Sequence, residues 1–256
     1  MKNNLLLIIC GLTLIMSSCA KVYSPAMYHQ DIAYQPKPTS FDAKKSLTYV
    51  SGGLNVASSN NYSDDKVSGE LDISRGHAFQ NFNLAYGAFG SFGSYENSSI
   101  DKGQPNYFTN KSFGAIGGRA SANVFVTSGK TDFRIIGFEA AYSHEFGDYA
   151  DYRNYLNGQP DFHVDPRTDL FTLGLTTEVV FHKSNDDSFQ QGIRGFLGKT
   201  FGYNNADVNY NGSDNTFRDN FFHGMFPKAS YFITFKDYFG IAEVGNGVFI
   251  RFGYKF

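Results

Sequence analysis

Ser143-His144-Glu145 sets a hydroxyl, an imidazole and a carboxylate on three consecutive residues. Those are the types from which a nucleophile, its base and an orienting acid are built. His163 and His223 lie in polar stretches, and His182 follows Glu178 by four residues. The spacing removes the chemistry from the most compact of these sets. Neighbours on a strand point to opposite faces, so Ser143 and His144 cannot meet if the segment is extended. Four residues along a strand put His182 about 13 Å from Glu178. No catalytic residue is therefore assigned, and the chain is expected not to be an enzyme.

Other motifs fail in the same way. "GIRGFLGKT" lacks the first glycine of a phosphate loop, because Ile193 stands there, and no helix pattern follows it. Gly87, Gly90 and Gly93 do not fit G-x-G-x-x-G; beside Phe89, Phe92 and Tyr95 they read as places where strands bend. Asp148, Asp151, Asp161 and Asp165 are the types that hold a hard cation, but they lie in a polar stretch that reads as a solvated loop. No metal or other cofactor is expected.

The elements that would carry these residues follow a period of two. In "GAIGGRASANVFV", Ile116, Ala120, Ala122 and Val124 oppose Arg119, Ser121 and Asn123. "DFRIIGFEAAYSHEF" and "FTLGLTTEVVFHK" alternate in the same manner, and "VFIRFGYKF" carries an apolar face to Phe256. Ten strands are expected, near 46–57, 66–76, 80–95, 112–127, 131–147, 169–183, 189–204, 221–236, 238–244 and 247–256, with eight as the alternative count. The links between them are short and mostly long in turn, the layout of a membrane barrel with tight periplasmic turns and extended outer loops. The last, at Asn246-Gly247, breaks the trend as a tight hairpin signal. The fold class is all-β: an antiparallel up-and-down transmembrane β-barrel. Pro227 is expected at a bulge or above the membrane band, since it has no N–H to give a ladder.

Composition agrees. There are 27 Phe, 17 Tyr and no Trp, charged residues are only 18%, and net charge is −2. That balance gives no electrostatic footprint for nucleic acid. Mean hydropathy is slightly negative, as one-sided apolar strands require. Alternation assigns eight charges to the inner wall: Glu70, Asp72, Glu139, Glu178, Arg119, Arg194, Lys228 and Arg251. Four acids against four bases predict a lumen filled by paired side chains, because an unpaired charge inside so narrow a barrel is too costly.

Residues 1–18 read as an export signal: Lys2, then an apolar run from Leu5 to Met16 too short to span a bilayer. Met16-Ser17-Ser18-Cys19 is similar to a lipobox. With the strand plan and the aromatic ending Tyr254-x-Phe256, the chain resembles outer-membrane lipoprotein barrels of the Bacteroidota type. The resemblance implies acylation of Cys19, insertion by the barrel-assembly machinery and a place among outer-membrane lipids. In that group an acidic cluster after the cysteine marks export to the surface, and none precedes Asp31, so a lipid in the periplasmic leaflet is expected. Residues 19–45, rich in Tyr, Gln and Pro, read as a tether to a barrel at 46–256.

The expected role is non-catalytic: a structural or accessory component that meets envelope proteins through its outer loops or its N-terminal arm. Two rivals remain. One is a small-barrel enzyme acting on lipid or peptide. The other is a soluble, lipid-tethered β-sandwich or lipocalin-like binder.

Overall fold

The computed structural model describes residues 22–58, 64–97, 100, 102–104, 107–159, 162–183, 189–201 and 224–256. Ten strands form the wall: β2 (Ser46–Ser58), β3 (Asp65–Ala78), β4 (Phe82–Glu96), β5 (Lys111–Ser128), β6 (Thr131–Phe146), β8 (Asp169–His182), β9 (Phe189–Phe201), β10 (Met225–Phe235), β11 (Tyr238–Val244) and β12 (Gly247–Lys255). Each pairs antiparallel with the next, and β12 returns to β2 from Gly247↔Ala57 to Lys255↔Tyr49, closing the barrel. Closure leaves no edge, which is what allows strands to stand in hydrocarbon. Two short strands, β1 (Val22–Tyr23) and β7 (His163–Val164), form a separate parallel pair.

The outer surface is apolar around the ring. Leu54, Leu71, Phe92, Ile116, Phe138, Ile193 and Phe252 all point outward and are exposed. Aromatic residues mark both rims: Phe79, Phe181, Phe235, Tyr238 and Phe256 at the short-turn end, and Phe146, Phe171 and Phe201 at the long-loop end. A soluble sandwich would pack such faces together; here they face outward around a closed ring, as lipid contact requires.

Two bulges set the phase of the inner wall. The β5–β6 register shifts between Val124 and Phe125, and the β6–β8 register shifts between Arg134 and Gly137. Ile135 and Ile136 both stay outside, so Arg134 turns inward. Pro227 pairs with Leu197 of β9 but lies beyond the β10–β11 ladder, which begins at Ala229↔Val244. It sits where one neighbour suffices.

Two stretches differ from the sequence reading. Residues expected in a solvated loop form helix α1 (Asp148–Leu156). Its buried positions Tyr149, Ala150, Arg153 and Leu156 have helical spacing, but polar residues between them hide the stripe. The second stretch is the N-terminal arm. Its residues 23–35 are all buried, as are residues 37–39. A strap inside the lumen, with a turn over residues 26–30 and no strand from 24 to 45, stands where a tether was expected.

Candidate functional site, a lumen filled by the N-terminal arm

The arm runs the length of the barrel. Val22 and Tyr23 pair with β7, within the long connection from β6 to β8, while Lys45 O accepts a bond from Ala78 N at the short-turn end. Between these points the arm has no strand to pair with. Its backbone groups are buried and must be satisfied in some other way.

A turn within the arm satisfies Tyr28 N, Gln30 N and Asp31 N through Pro25 O and Met27 O, and the wall's charged side chains serve other groups. Lys66 Nζ donates to Ala26 O at 2.9 Å, Arg119 Nε to Asp31 O at 2.7 Å, and Lys228 Nζ to Ile32 O at 2.5 Å. Arg251 donates to Tyr34 O at 2.5 Å and Arg134 to Pro38 O at 3.2 Å. The acids serve the donors. Glu145 accepts from Met27 N at 3.1 Å and Glu243 from Tyr34 N at 3.0 Å. Ser40 N donates to Asp132 at 2.8 Å. Bonds to ionised partners are about twice as strong as neutral ones.

The same charges pair with one another. Arg119 reaches Glu70 and Asp72, both at 2.6 Å; Arg251 reaches Asp72 at 3.3 Å and Glu243 at 2.8 Å. Arg194 pairs with Glu139 and lies 3.6 Å from Glu243. The result is one chain of contacts from Glu70 through Arg119, Asp72, Arg251, Glu243 and Arg194 to Glu139. Arg134 holds Glu178 at 2.5 Å, and Lys37 of the arm approaches the same carboxylate at 3.9 Å. Tyr34 lies at the centre, its hydroxyl donating to Glu178 at 2.6 Å and its ring stacked 4.8 Å from Phe232.

Each end of the strap has a closure. At the long-loop end Tyr23, Tyr95, Phe108 and Tyr149 are buried together, with Tyr95 stacked 3.9 Å from Tyr149. Arg153 of α1 clamps Glu145 at 2.6 Å and donates to Asp165 O at 2.8 Å. At the short-turn end Asp42 accepts from Thr39 N and Oγ1, each at 2.7 Å, and from Lys255 at 3.2 Å. Burial opposes ionisation of Asp42, but Lys255 and Thr39 outweigh it and hold the carboxyl below its ordinary range.

All eight wall charges expected from alternation face this lumen. Lys66, Asp132, Arg134, Glu145 and Glu243 also line it and are absent from those eight. The bulge reverses the phase at Arg134, and β11 carries Phe239 and Ile241 inside with Tyr238 and Val244 outside, so its alternation is apolar on both faces. Asp31 and Lys37 lie in a segment with no period at all.

The residues considered for catalysis are separated. Ser143 and Glu145 face the lumen, whereas His144 stands outside, its Nδ1 3.0 Å from Asp169. His182 packs 4.0 Å from the ring of Phe41 at the short-turn mouth, while Glu178 is engaged deeper in. Asp148 accepts from Ser112 at 2.6 Å and Asp165 from Arg167 N at 3.0 Å, apart from one another. Among the described residues no three His, Cys, Asp or Glu converge on one point. Cys19, Asp161 and His223 lie outside the described residues.

No protein-family profile matches the chain, and no curated protein does. Its fold is similar to those of solved barrels. The outer membrane protein OprG from Pseudomonas aeruginosa is 12% identical, with 84% of this chain and 98% of that one covered and a TM-score of 0.36. The transport unit of the autotransporter AIDA-I from Escherichia coli is 8% identical, with 86% and 92% covered and a TM-score of 0.37. The translocator domain of the autotransporter NalP from Neisseria meningitidis is 8% identical, with 85% and 90% covered and a TM-score of 0.31. Likenesses this shallow carry nothing about function.

Proposed function

We propose that the protein is an outer-membrane lipoprotein barrel, acylated at Cys19, that neither conducts nor catalyses and acts by contact through its long-loop face. The observation that carries this reading is the strap: wall charges that could line a polar path are instead committed to one another and to the arm's backbone. Among the described residues the cavities beside the arm are slight, one of about 20 Å³ bounded by Tyr34, Pro36, Tyr49 and Phe239 and one of about 10 Å³ bounded by Met27, Gln30, Asn55 and Lys66, each no more than water-sized. A ligand-binding barrel of this width would need to keep that volume free.

The surface open to partners is the long-loop end. Tyr155 on α1 is 71% exposed there, and Tyr among small polar residues suits contact with another protein. Barrel-assembly machinery and outer-membrane lipid are the partners of insertion, and envelope proteins the partners of function. The test is conductance of the purified full-length protein in planar bilayers, with cross-linking from the long-loop face in intact cells. A silent bilayer and discrete protein adducts are expected. A steady conductance would overturn the closed-lumen reading, and intact cells yielding no adduct would overturn the contact role.

A further inference from the structure

The arm enters the lumen from the long-loop end, and this decides where everything upstream of it emerges. Val22 pairs with His163 and Tyr23 with Val164. Asp165 N donates to Tyr23 O at 2.9 Å, and Tyr149 Oη donates to Ser24 O at 3.0 Å. The ring of Tyr23 is fully buried, 6.1 Å from Tyr152 and 6.3 Å from Phe162. The upstream end of the strap is thus fastened to the connection between β6 and β8. Its downstream end joins β2 on the opposite side of the barrel, at the short turns.

From these positions we infer that the acyl anchor enters the leaflet on the long-loop side, the cell-surface leaflet of the outer membrane, after the chain has passed through its own barrel. The inference rests on the proposed acylation of Cys19. Cys19 lies three chain steps before Val22, a reach of at most about 11 Å, whereas the hydrocarbon core is about 30 Å thick. The lumen offers no way back, because the strap occupies it. The lipid therefore cannot reach the periplasmic leaflet while β1 stays paired with β7. Lack of an acidic cluster after Cys19 pointed to the periplasmic side, and the geometry reverses that expectation. A surface leaflet also puts the anchor on the same face as Tyr155 and the long connections, so lipid and contact surface stand together.

The experiment uses the full chain in living cells fed an alkyne-bearing fatty acid. A cleavage sequence for a specific protease too large to cross the outer membrane is placed directly after Lys21. A second strain carries it in the long connection at 98–106, and a third has Cys19→Ser. The expected result is that protease added to intact cells removes all of the lipid label from the barrel band and also cuts the long connection. If the long connection is cut from outside but the site after Lys21 yields only after permeabilisation, the inference is wrong. If the barrel never carries label, or keeps it in Cys19→Ser, acylation at Cys19 fails and the anchor's placement with it. Cleavage after Lys21 would then still report the arm's exit on its own.

Discussion

Tyr34 is a neutral side chain among the lumen charges, bonded to Glu178 and stacked on Phe232. A hydrogen bond to an ionised partner is worth about 1.5–3 kcal/mol, so Tyr34→Phe is expected to lower stability by about that much. Glu178→Gln leaves Arg134 and Lys37 without their carboxylate in a place closed to water, and stranding a buried charge costs about 3–5 kcal/mol. Urea midpoints of the refolded protein in detergent should fall in the order wild type, Tyr34→Phe, Glu178→Gln. Equal midpoints would mean that the arm is not seated on the wall.

Asp42 gives a pH signature at the same scale. Its carboxyl ionises more readily in the folded protein than in an unfolded chain, where the value is about 3.9. The Asp42 contribution to stability is fully present above that value and is lost as pH falls through the lower folded one. Amides at the short-turn mouth, Thr39 among them, should exchange faster as pH falls below about 4, after correction for intrinsic rates. Asp42→Asn should exchange faster already at neutral pH and lose that dependence.

At the scale of elements, three glycines of β4 separate by what surrounds them. A Cβ on Gly93 would lie 2.3 Å from Val67 O and 2.6 Å from Ser68 Cβ, and one on Gly87 would lie 2.2 Å from Ile73 O. Nothing stands within 4 Å of a Cβ on Gly90. Gly93→Ala and Gly87→Ala should impair closure of β3 on β4, seen as loss of the folded band on an unboiled gel, while Gly90→Ala should assemble as wild type. The sequence suggested bending beside aromatic residues. The structure points to strand crowding at two of the three, which one strand's sequence cannot reveal. Strand number and the eight wall charges were legible because burial on one face writes a period of two. Arg134 was not, because a bulge inverts the period without any residue that marks it. Helix α1 was hidden for a related reason: its single buried stripe is interrupted by Tyr, Asn and Asp.

At the scale of the whole molecule, the barrel and its strap solve one problem together. The wall's charges need partners and the arm's backbone needs donors and acceptors; neither half satisfies this alone. That mutual requirement was illegible in the sequence. A strap without neighbouring strands has no periodicity to read, and residues 22–45 look like any Tyr- and Pro-containing linker. The exchange of partners is visible only once Arg119, Lys228 and Arg251, from three different strands, are seen to donate to the arm's carbonyls.

Hydrogen–deuterium exchange of the full-length protein in detergent, resolved for peptides covering residues 23–39, tests that arrangement most directly. The bonds from Met27 N to Glu145 and from Tyr34 N to Glu243 predict protection approaching that of β5 and β6. Exchange of this segment within the first seconds, as from a solvated tether, would contradict the closed lumen and the functional reading built on it.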